Sequence, residues 1–121
     1  MEERALTEQE CEIVQWLLNN ARIPKGELVS NDLDGLHVVD HCQCGCVSID
    51  FEAQGQGNGA GIVADAIAKW PDGNQAGLIL WGRAGRVTAL EVYDMTIDSA
   101  KRLPTLAVLR TWEQVGEQSR S

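Results

Sequence analysis

The sequence lacks long apolar runs, has few aromatic residues and carries few basic side chains. No apolar run approaches the roughly 20 residues that a membrane-spanning helix requires, so we expect no contact with a membrane. The N-terminal residues are acidic, unlike an export signal or a transit peptide, which favours a cytoplasmic location. Only 10 Lys and Arg residues accompany 18 Asp and Glu residues, and they form no cluster. Nucleic-acid binding requires clustered Lys and Arg side chains that neutralise phosphates, so we expect no nucleic-acid partner.

The acidic side chains are unevenly distributed. The net charge is −8 at pH 7, and residues 1–61 carry the whole acidic excess. This distribution is compatible with a basic protein partner, and also with a solvated acidic surface that binds nothing. Self-association as a homodimer is a further possibility that the charge does not decide.

Length and composition indicate one globular domain. The chain has 121 residues, of which 44% are apolar and 23% charged, and it has no internal repeat. We therefore interpret residues 1–121 as a single domain.

One helix is predicted near the N-terminus, over about residues 8–21. Thr7 and Glu10 have the spacing of a capping box, in which each side chain binds the other residue's backbone N–H. Apolar residues with helical spacing follow and form one stripe: Ile13, Val14, Leu17, Leu18 and Ala21. An apolar stripe of this kind must pack against another element, and we expect that element to be a sheet.

Strand patterns and turn signals occupy residues 36–94. Predicted strands cover 36–42, 47–51, 62–70, 78–81 and 87–93, although periodicity alone leaves 62–70 open between helix and strand. Short turns at 71–74 and 84–85 flank the apolar segment 78–81. This segment is therefore expected to be an interior strand, with Trp81 in the core.

These patterns predict an α+β fold. The helix packs on an antiparallel meander sheet of four to five strands over about 36–94, followed by a short C-terminal element over about 104–115. Leu106, Leu109 and Trp112 would form the stripe of a helix, and Leu106, Val108 and Trp112 the face of a strand. Of the two, we favour the helix. The alternative architecture is a cone-like α+β barrel with a cavity between helix and sheet.

Part of the chain resembles uncharacterised small bacterial proteins. The resemblance rests on segments 71–73, 77–82, 85–87 and 90–93, together with Cys44-Gly45-Cys46 and Leu103-Pro104. It implies an N-terminal helix on an antiparallel sheet, and it implies no activity.

The segment His41-Cys42-Gln43-Cys44-Gly45-Cys46 is the main chemical signal in the sequence. Thiolates and imidazole are the ligands that zinc prefers, so His41, Cys42, Cys44 and Cys46 form a candidate zinc site. A three-residue hairpin loop over 43–45 would place Cys42 opposite Cys46, whereas an unbroken strand would hold them about 13 Å apart. Cysteines packed as small apolar residues in a tight turn are one competing interpretation, and a redox-active or nucleophilic thiol beside His41 or His37 is another.

Other polar segments carry weaker signals. Residues 55–60 match a dinucleotide-binding pattern, but the expected helix and downstream acid are missing, so a hairpin loop is the better interpretation. Ser48, Asp50 and Glu52 alternate with apolar residues and are expected on a solvent-exposed strand face. No nucleophile, base and orienting residue form a recognisable set. The sequence thus favours a non-enzymatic acidic interaction module, then a small metal-binding protein, then an enzyme of unknown type.

Overall fold

A computed structural model describes residues 4–20, 35–41, 46–53, 55–57 and 59–114. The elements in chain order are β1 (Arg4–Ala5), α1 (Glu8–Asn20), β2 (His37–Val38), β3 (Asp40–His41), β4 (Ile49–Asp50), β5 (Gly61–Lys69), β6 (Gln75–Arg83), β7 (Arg86–Asp94) and β8 (Leu109–Arg110). Two 3₁₀ turns, Ser99–Lys101 and Leu106–Val108, precede β8. Among these residues no helix is both long and apolar enough to cross a membrane.

The fold is α+β, as predicted, and the described residues place six strands in the main sheet rather than four to five. The strand order is β3-β4-β7-β6-β5-β8, all pairs are antiparallel, and β1 pairs with β2 in a separate two-stranded sheet. The long meander β5-β6-β7 forms the centre, so the prediction that 78–81 lies in an interior strand is confirmed. The sheet does not close, so the barrel alternative is wrong.

The helix α1 packs on one face of the meander. Its buried apolar residues Ile13, Val14 and Leu17 belong to the same core cluster as the inward side chains of β5, β6 and β7. The inward residues of β5 are alanines at every second position, Ala64 and Ala66 among them. Because alanine projects little from the sheet, the helix approaches closely and its branched side chains fill the core.

The capping box that the sequence predicts is present at the start of α1. The backbone N–H of Glu10 donates to Thr7 Oγ1 at 3.1 Å, and the backbone N–H of Thr7 donates to Glu10 Oε1 at 2.8 Å. Arg4 adds two bonds to the Glu10 carboxylate, each 2.8 Å long. Burial opposes ionisation of Glu10, but these hydrogen bonds outweigh it and hold the pKa below its ordinary value.

Replacing Thr7 with alanine is expected to lower the free energy of unfolding by about 0.5–2 kcal/mol, because a free N–H at the helix start loses its acceptor. Thermal or urea unfolding measures the change. Thr105→Ala is the matched control, since Thr105 precedes a 3₁₀ turn without a side-chain capping bond. Equal losses in both variants would contradict the capping role.

The C-terminal helix predicted over about 104–115 is wrong for most of that range. Leu106–Val108 is a 3₁₀ turn, β8 pairs with β5 through Ala68 and Leu109, and helical geometry begins only at residue 112. Of the three apolar residues behind the helix prediction, only Leu109 is buried, while Leu106 and Trp112 are each 38% exposed. Pairing with the edge of β5 satisfies backbone groups that a helix would have satisfied internally.

Candidate functional site: the open face of the sheet

The three long strands present two different faces. Inward side chains such as Ala66, Leu78 and Val92 contact the helix-side core. Strand alternation sends their neighbours to the opposite side. We call this opposite side the open face. The half-buried side chains near its centre are Asp50, Asp65, Ile79, Trp81, Glu91 and Tyr93, and Lys69 and Arg83 lie on the same side toward the strand ends.

Two carboxylates flank Ile79 at the centre of the open face. Asp65 on β5 and Glu91 on β7 are each directly opposite Ile79 on β6. The spacing of adjacent strands sets their Cα atoms about 10 Å apart. Glu91 Oε1 accepts a hydrogen bond from Trp81 Nε1 at 3.1 Å. Within the described part of the chain, Asp65 has neither a hydrogen-bond donor nor an ion-pair partner.

Tyr93 lies next to these carboxylates and over Gly77. A Cβ atom at Gly77 would overlap the Tyr93 ring, so the glycine makes room for the aromatic side chain. Burial raises the pKa of the Tyr93 hydroxyl, and the negative charges of Asp65 and Glu91 raise it further. Tyr93 is therefore a neutral, partly apolar surface beside two negative groups at physiological pH.

A groove of about 280 Å³ borders Tyr93 at one edge of the open face. Its lining comprises Cys46, Ser48, Gln56, Glu91, Val92, Tyr93, Asp94 and Ala100. Ser48 donates to the Val92 carbonyl at 3.0 Å and accepts from the Val92 N–H at 2.8 Å, so it replaces a strand-to-strand bond. Ser48 is buried, so the prediction that it is solvent-exposed is wrong. Its hydroxyl can be buried because both of its hydrogen bonds are made to the Val92 backbone.

The two carboxylates that the sequence grouped with Ser48 are half-buried and behave differently from each other. Burial raises the pKa of Asp50, and the charge of the cross-strand neighbour Asp40 raises it further. Glu52 is paired with Arg83 and Arg86, and the hydrogen bond from Arg86 holds its pKa below the ordinary value. Among the described residues Asp50 has no ion-pair partner, so it adds negative charge to the open face, whereas the charge of Glu52 is paired.

Comparison with known protein families, curated proteins and solved structures finds no match. The interpretation of the site therefore depends on its geometry and chemistry.

The candidate zinc ligands are only partly described. His41 is exposed at the end of β3, and Cys46 is half-buried against the core and lines the groove, while Cys42 and Cys44 lie outside the described residues. Those described residues include no group of three or more metal-ligating side chains. The zinc site stays a prediction, and elemental analysis of protein purified without chelator tests it.

The predicted three-residue hairpin loop over 43–45 lies outside the described residues and stays a prediction. His41 pairs with Ile49, so residues 42–48 connect the two strands. Cys46 lies outside any strand, and the next residue, Val47, donates its N–H to the Ala100 carbonyl at 2.8 Å.

The open face was missed as a site at the level of sequence, and Trp81 was assigned to the core. The structure places Trp81 on the open face with its indole N–H bound to Glu91, so the core prediction is wrong. The available signal was the alternation of Asp65 with inward alanines and of Glu91 with inward leucine and valine.

Replacing Asp65 with asparagine is expected to stabilise the protein at neutral pH. Burial raises the pKa of Asp65 above its ordinary 3.8, so the folded state binds the proton more tightly than the unfolded state. The free energy of unfolding therefore falls as the pH rises from 3.8 through the raised pKa of Asp65. Asparagine does not ionise, so the Asp65→Asn variant does not lose this stability. Thermal unfolding should show a higher Tm for the variant at pH 7 and no difference below pH 3.8.

The comparison variant is Asp72→Asn, because hydrogen bonding lowers the pKa of Asp72. The carboxylate of Asp72 accepts a bond from the Asn74 N–H and another from Arg102. Its ionised form is favoured in the folded state, so this variant should gain nothing at pH 7. A lower Tm for Asp65→Asn at neutral pH would show that the Asp65 carboxylate stabilises the fold.

Proposed function

We propose that this protein is a non-enzymatic interaction module that binds a basic protein through the open face. The observation that carries the proposal is the central row of the sheet, in which Asp65, with no neutralising partner in the described structure, and Glu91 flank the apolar Ile79. A carboxylate kept half-buried without a cation costs stability, and a cationic partner would remove that cost.

The carboxylates of the open face favour a basic occupant. Asp50, Asp65 and Glu91 lie on this face, and Asp65 and Glu91 flank its central row. The basic side chains lie away from the central row, since Arg83 and Arg86 at one end of the meander are bound to Glu52 and Lys69 ends β5, four residues from Asp65. A second copy of this chain is a poorer occupant, since the same carboxylates would meet across the interface.

The aromatic residues of the open face suit a protein partner. Trp and Tyr are enriched at the centres of protein interfaces because they bury a large apolar area and keep one polar group bonded. Trp81 and Tyr93 adjoin the carboxylates, so a Lys or Arg side chain that reaches Glu91 also meets an aromatic surface. The centre of the face thus combines apolar area with carboxylates.

The test compares two variants that each lose two negative charges. Asp65→Asn/Glu91→Gln changes the open face, and Glu12→Gln/Glu113→Gln changes exposed side chains elsewhere. Wild type and both variants are immobilised and exposed to cell lysate at physiological salt, and retained proteins are identified and quantified by mass spectrometry. We expect wild type and the control to retain the same net-positive protein, and the open-face variant to retain at least about tenfold less.

Three results would contradict the proposal. Equal losses in both variants would indicate unspecific charge attraction. Retention of proteins without net positive charge would contradict the assigned partner chemistry. Absence of any retained protein from wild type, with the fold verified by circular dichroism, would contradict the binding function itself.

A further inference from the structure

The outer edge of β5 is paired over only part of its length. The strand runs from Gly61 to Lys69, and β8 pairs with it through two residues, Ile67 and Ala68. Within the described part of the chain, no other strand pairs with this edge and no loop backbone bonds to it. A Cβ atom at Gly61 would have no heavy atom within 4 Å, so there is space beside the start of the strand. Residues 61–66 therefore form an unpaired strand edge, which we call the open edge.

The strand β8 is short because the chain leaves the sheet directly after it. The N–H of Thr111 donates to Gln114 Oε1 at 2.8 Å, and the N–H of Gln114 donates to Thr111 Oγ1 at 3.1 Å. These reciprocal bonds form a capping box, and helical geometry begins at residue 112. In the register of β8, residue 112 would have paired with Asp65 if the strand had continued. The capping box thus leaves the edge open at Asp65.

The hydrogen bonds of the meander show which backbone groups face the open edge. The Trp70 N–H donates to the Asn74 carbonyl at 3.0 Å, across the turn to β6. In an antiparallel strand the N–H and C=O of one residue point to the same neighbouring strand, and this direction alternates along the chain. Ala66 therefore bonds toward β6, like Trp70. The N–H and C=O of Asp65 point the other way, out from the open edge.

The side chain of Asp65 determines which strand fits the open edge. Its carboxylate is half-buried on the open face and has no cationic partner among the described residues. Directly opposite residues of an antiparallel pair have Cβ atoms about 4.5–5.5 Å apart, where opposite charges stabilise the pair and like charges destabilise it. A second β5 that paired with the first about Asp65 would place two carboxylates opposite each other. A strand with Lys or Arg opposite Asp65 instead supplies the missing cation.

We infer that the basic partner binds through an extended segment that adds an antiparallel strand to the open edge, with a Lys or Arg residue opposite Asp65. This inference rests on the proposed function and specifies the form of the partner. In such strand addition the main-chain hydrogen bonds supply affinity, and alternate side chains supply selectivity. Every second side chain of the segment lies on the open face beside Asp65, so the segment alternates basic with apolar residues.

Three synthetic peptides test the pairing. Each is a short capped peptide that alternates lysine with valine: one is unmodified, one is methylated at the lysine backbone nitrogens, and one at the valine backbone nitrogens. Because Asp65 faces outward, the lysine opposite it forms a hydrogen-bonded pair with it, and the lysine N–H groups point to β5 while those of valine point away. All three peptides carry the same charge and side chains. Calorimetric titration of the intact protein should show similar affinity for the unmodified and valine-methylated peptides, and at least about tenfold weaker binding of the lysine-methylated one.

Amide hydrogen exchange locates the added strand. When the unmodified peptide saturates the protein, exchange of the Asp65 N–H should slow strongly, because this group gains an acceptor. The N–H of Ala66 is the internal control, since it already bonds toward β6, and its exchange should change little.

The outcomes separate this inference from the proposed function. Equal affinity for the two methylated peptides, no binding of the unmodified peptide, or unchanged exchange at Asp65 would each overturn strand addition. If the methylated peptides bind wild type equally and Asp65→Asn/Glu91→Gln binds neither, the open face attracts basic chains without strand addition, and the proposed function stands. If affinity depends on the methylated position but Asp65→Asn/Glu91→Gln binds as tightly as wild type, strand addition is supported and the charge-based function is contradicted.

Discussion

Leu17→Ala is expected to lower the free energy of unfolding by about 2–5 kcal/mol, the range for leucines truncated in a packed core. Leu17 has no exposed surface and belongs to the core cluster between α1 and the meander. The facing residues Ala64 and Ala66 are too small to refill the space that the truncation leaves. Since domains are stable by only about 5–15 kcal/mol, urea unfolding should show a large shift of the midpoint.

Ile97→Ala is the control for this prediction, because it truncates an aliphatic side chain that is 91% exposed. Its unfolding midpoint should stay close to wild type. An unchanged midpoint for Leu17→Ala would contradict the packing of α1 on the sheet.

Gly55→Ala is expected to destabilise the protein by about 1–3 kcal/mol through overpacking, and further if a hydrogen bond is lost. A Cβ atom at Gly55 would overlap the Thr88 carbonyl and lie 2.9 Å from the Ala89 Cβ atom. The Thr88 carbonyl accepts from the Phe51 N–H, and the Thr88 hydroxyl donates to the Gly55 carbonyl at 2.6 Å. Backbone must move to admit a methyl group, so the surrounding bonds are disturbed.

Gly61→Ala is the matched control for that variant. A Cβ atom at Gly61 would have no heavy atom within 4 Å, and the φ of this glycine is not positive, so alanine fits there. Thermal unfolding should separate the two variants clearly. Equal stability of both would show that the segment at Gly55 does not approach β7 closely enough to exclude a methyl group.

The sequence predicted those elements whose signals are local. The capping box and apolar stripe located α1 to within a residue, and the turns at 71–74 and 84–85 identified the meander. The short strands depend instead on contacts between distant segments. β8 forms because Leu109 pairs with Ala68 on β5. The pattern of apolar residues within 104–115 cannot predict a pairing with a strand so distant in sequence.

The candidate site was less predictable than the fold for a related reason. Trp81 lies in an apolar segment, so hydrophobicity placed it in the core, whereas alternation with Leu80 places it on the open face. Whether that face is covered depends on where α1 packs, which the strand sequences do not encode. The cysteine cluster was interpreted as a site because its residues are close together in the sequence. Asp65 and Glu91 are far apart in the sequence, and only the strand register places them on either side of Ile79.

Hydroxyl-radical footprinting of Trp81 and Tyr93 is the most direct test of the open face as the docking surface. Both side chains are half-buried in the free protein, and so is Trp16 on the helix side. When the net-positive protein retained by wild type is added, oxidation of Trp81 and Tyr93 should fall strongly while oxidation of Trp16 stays unchanged. Protection of Trp16 with unaltered oxidation of Trp81 and Tyr93 would contradict the account, because the partner would then occupy the helix side.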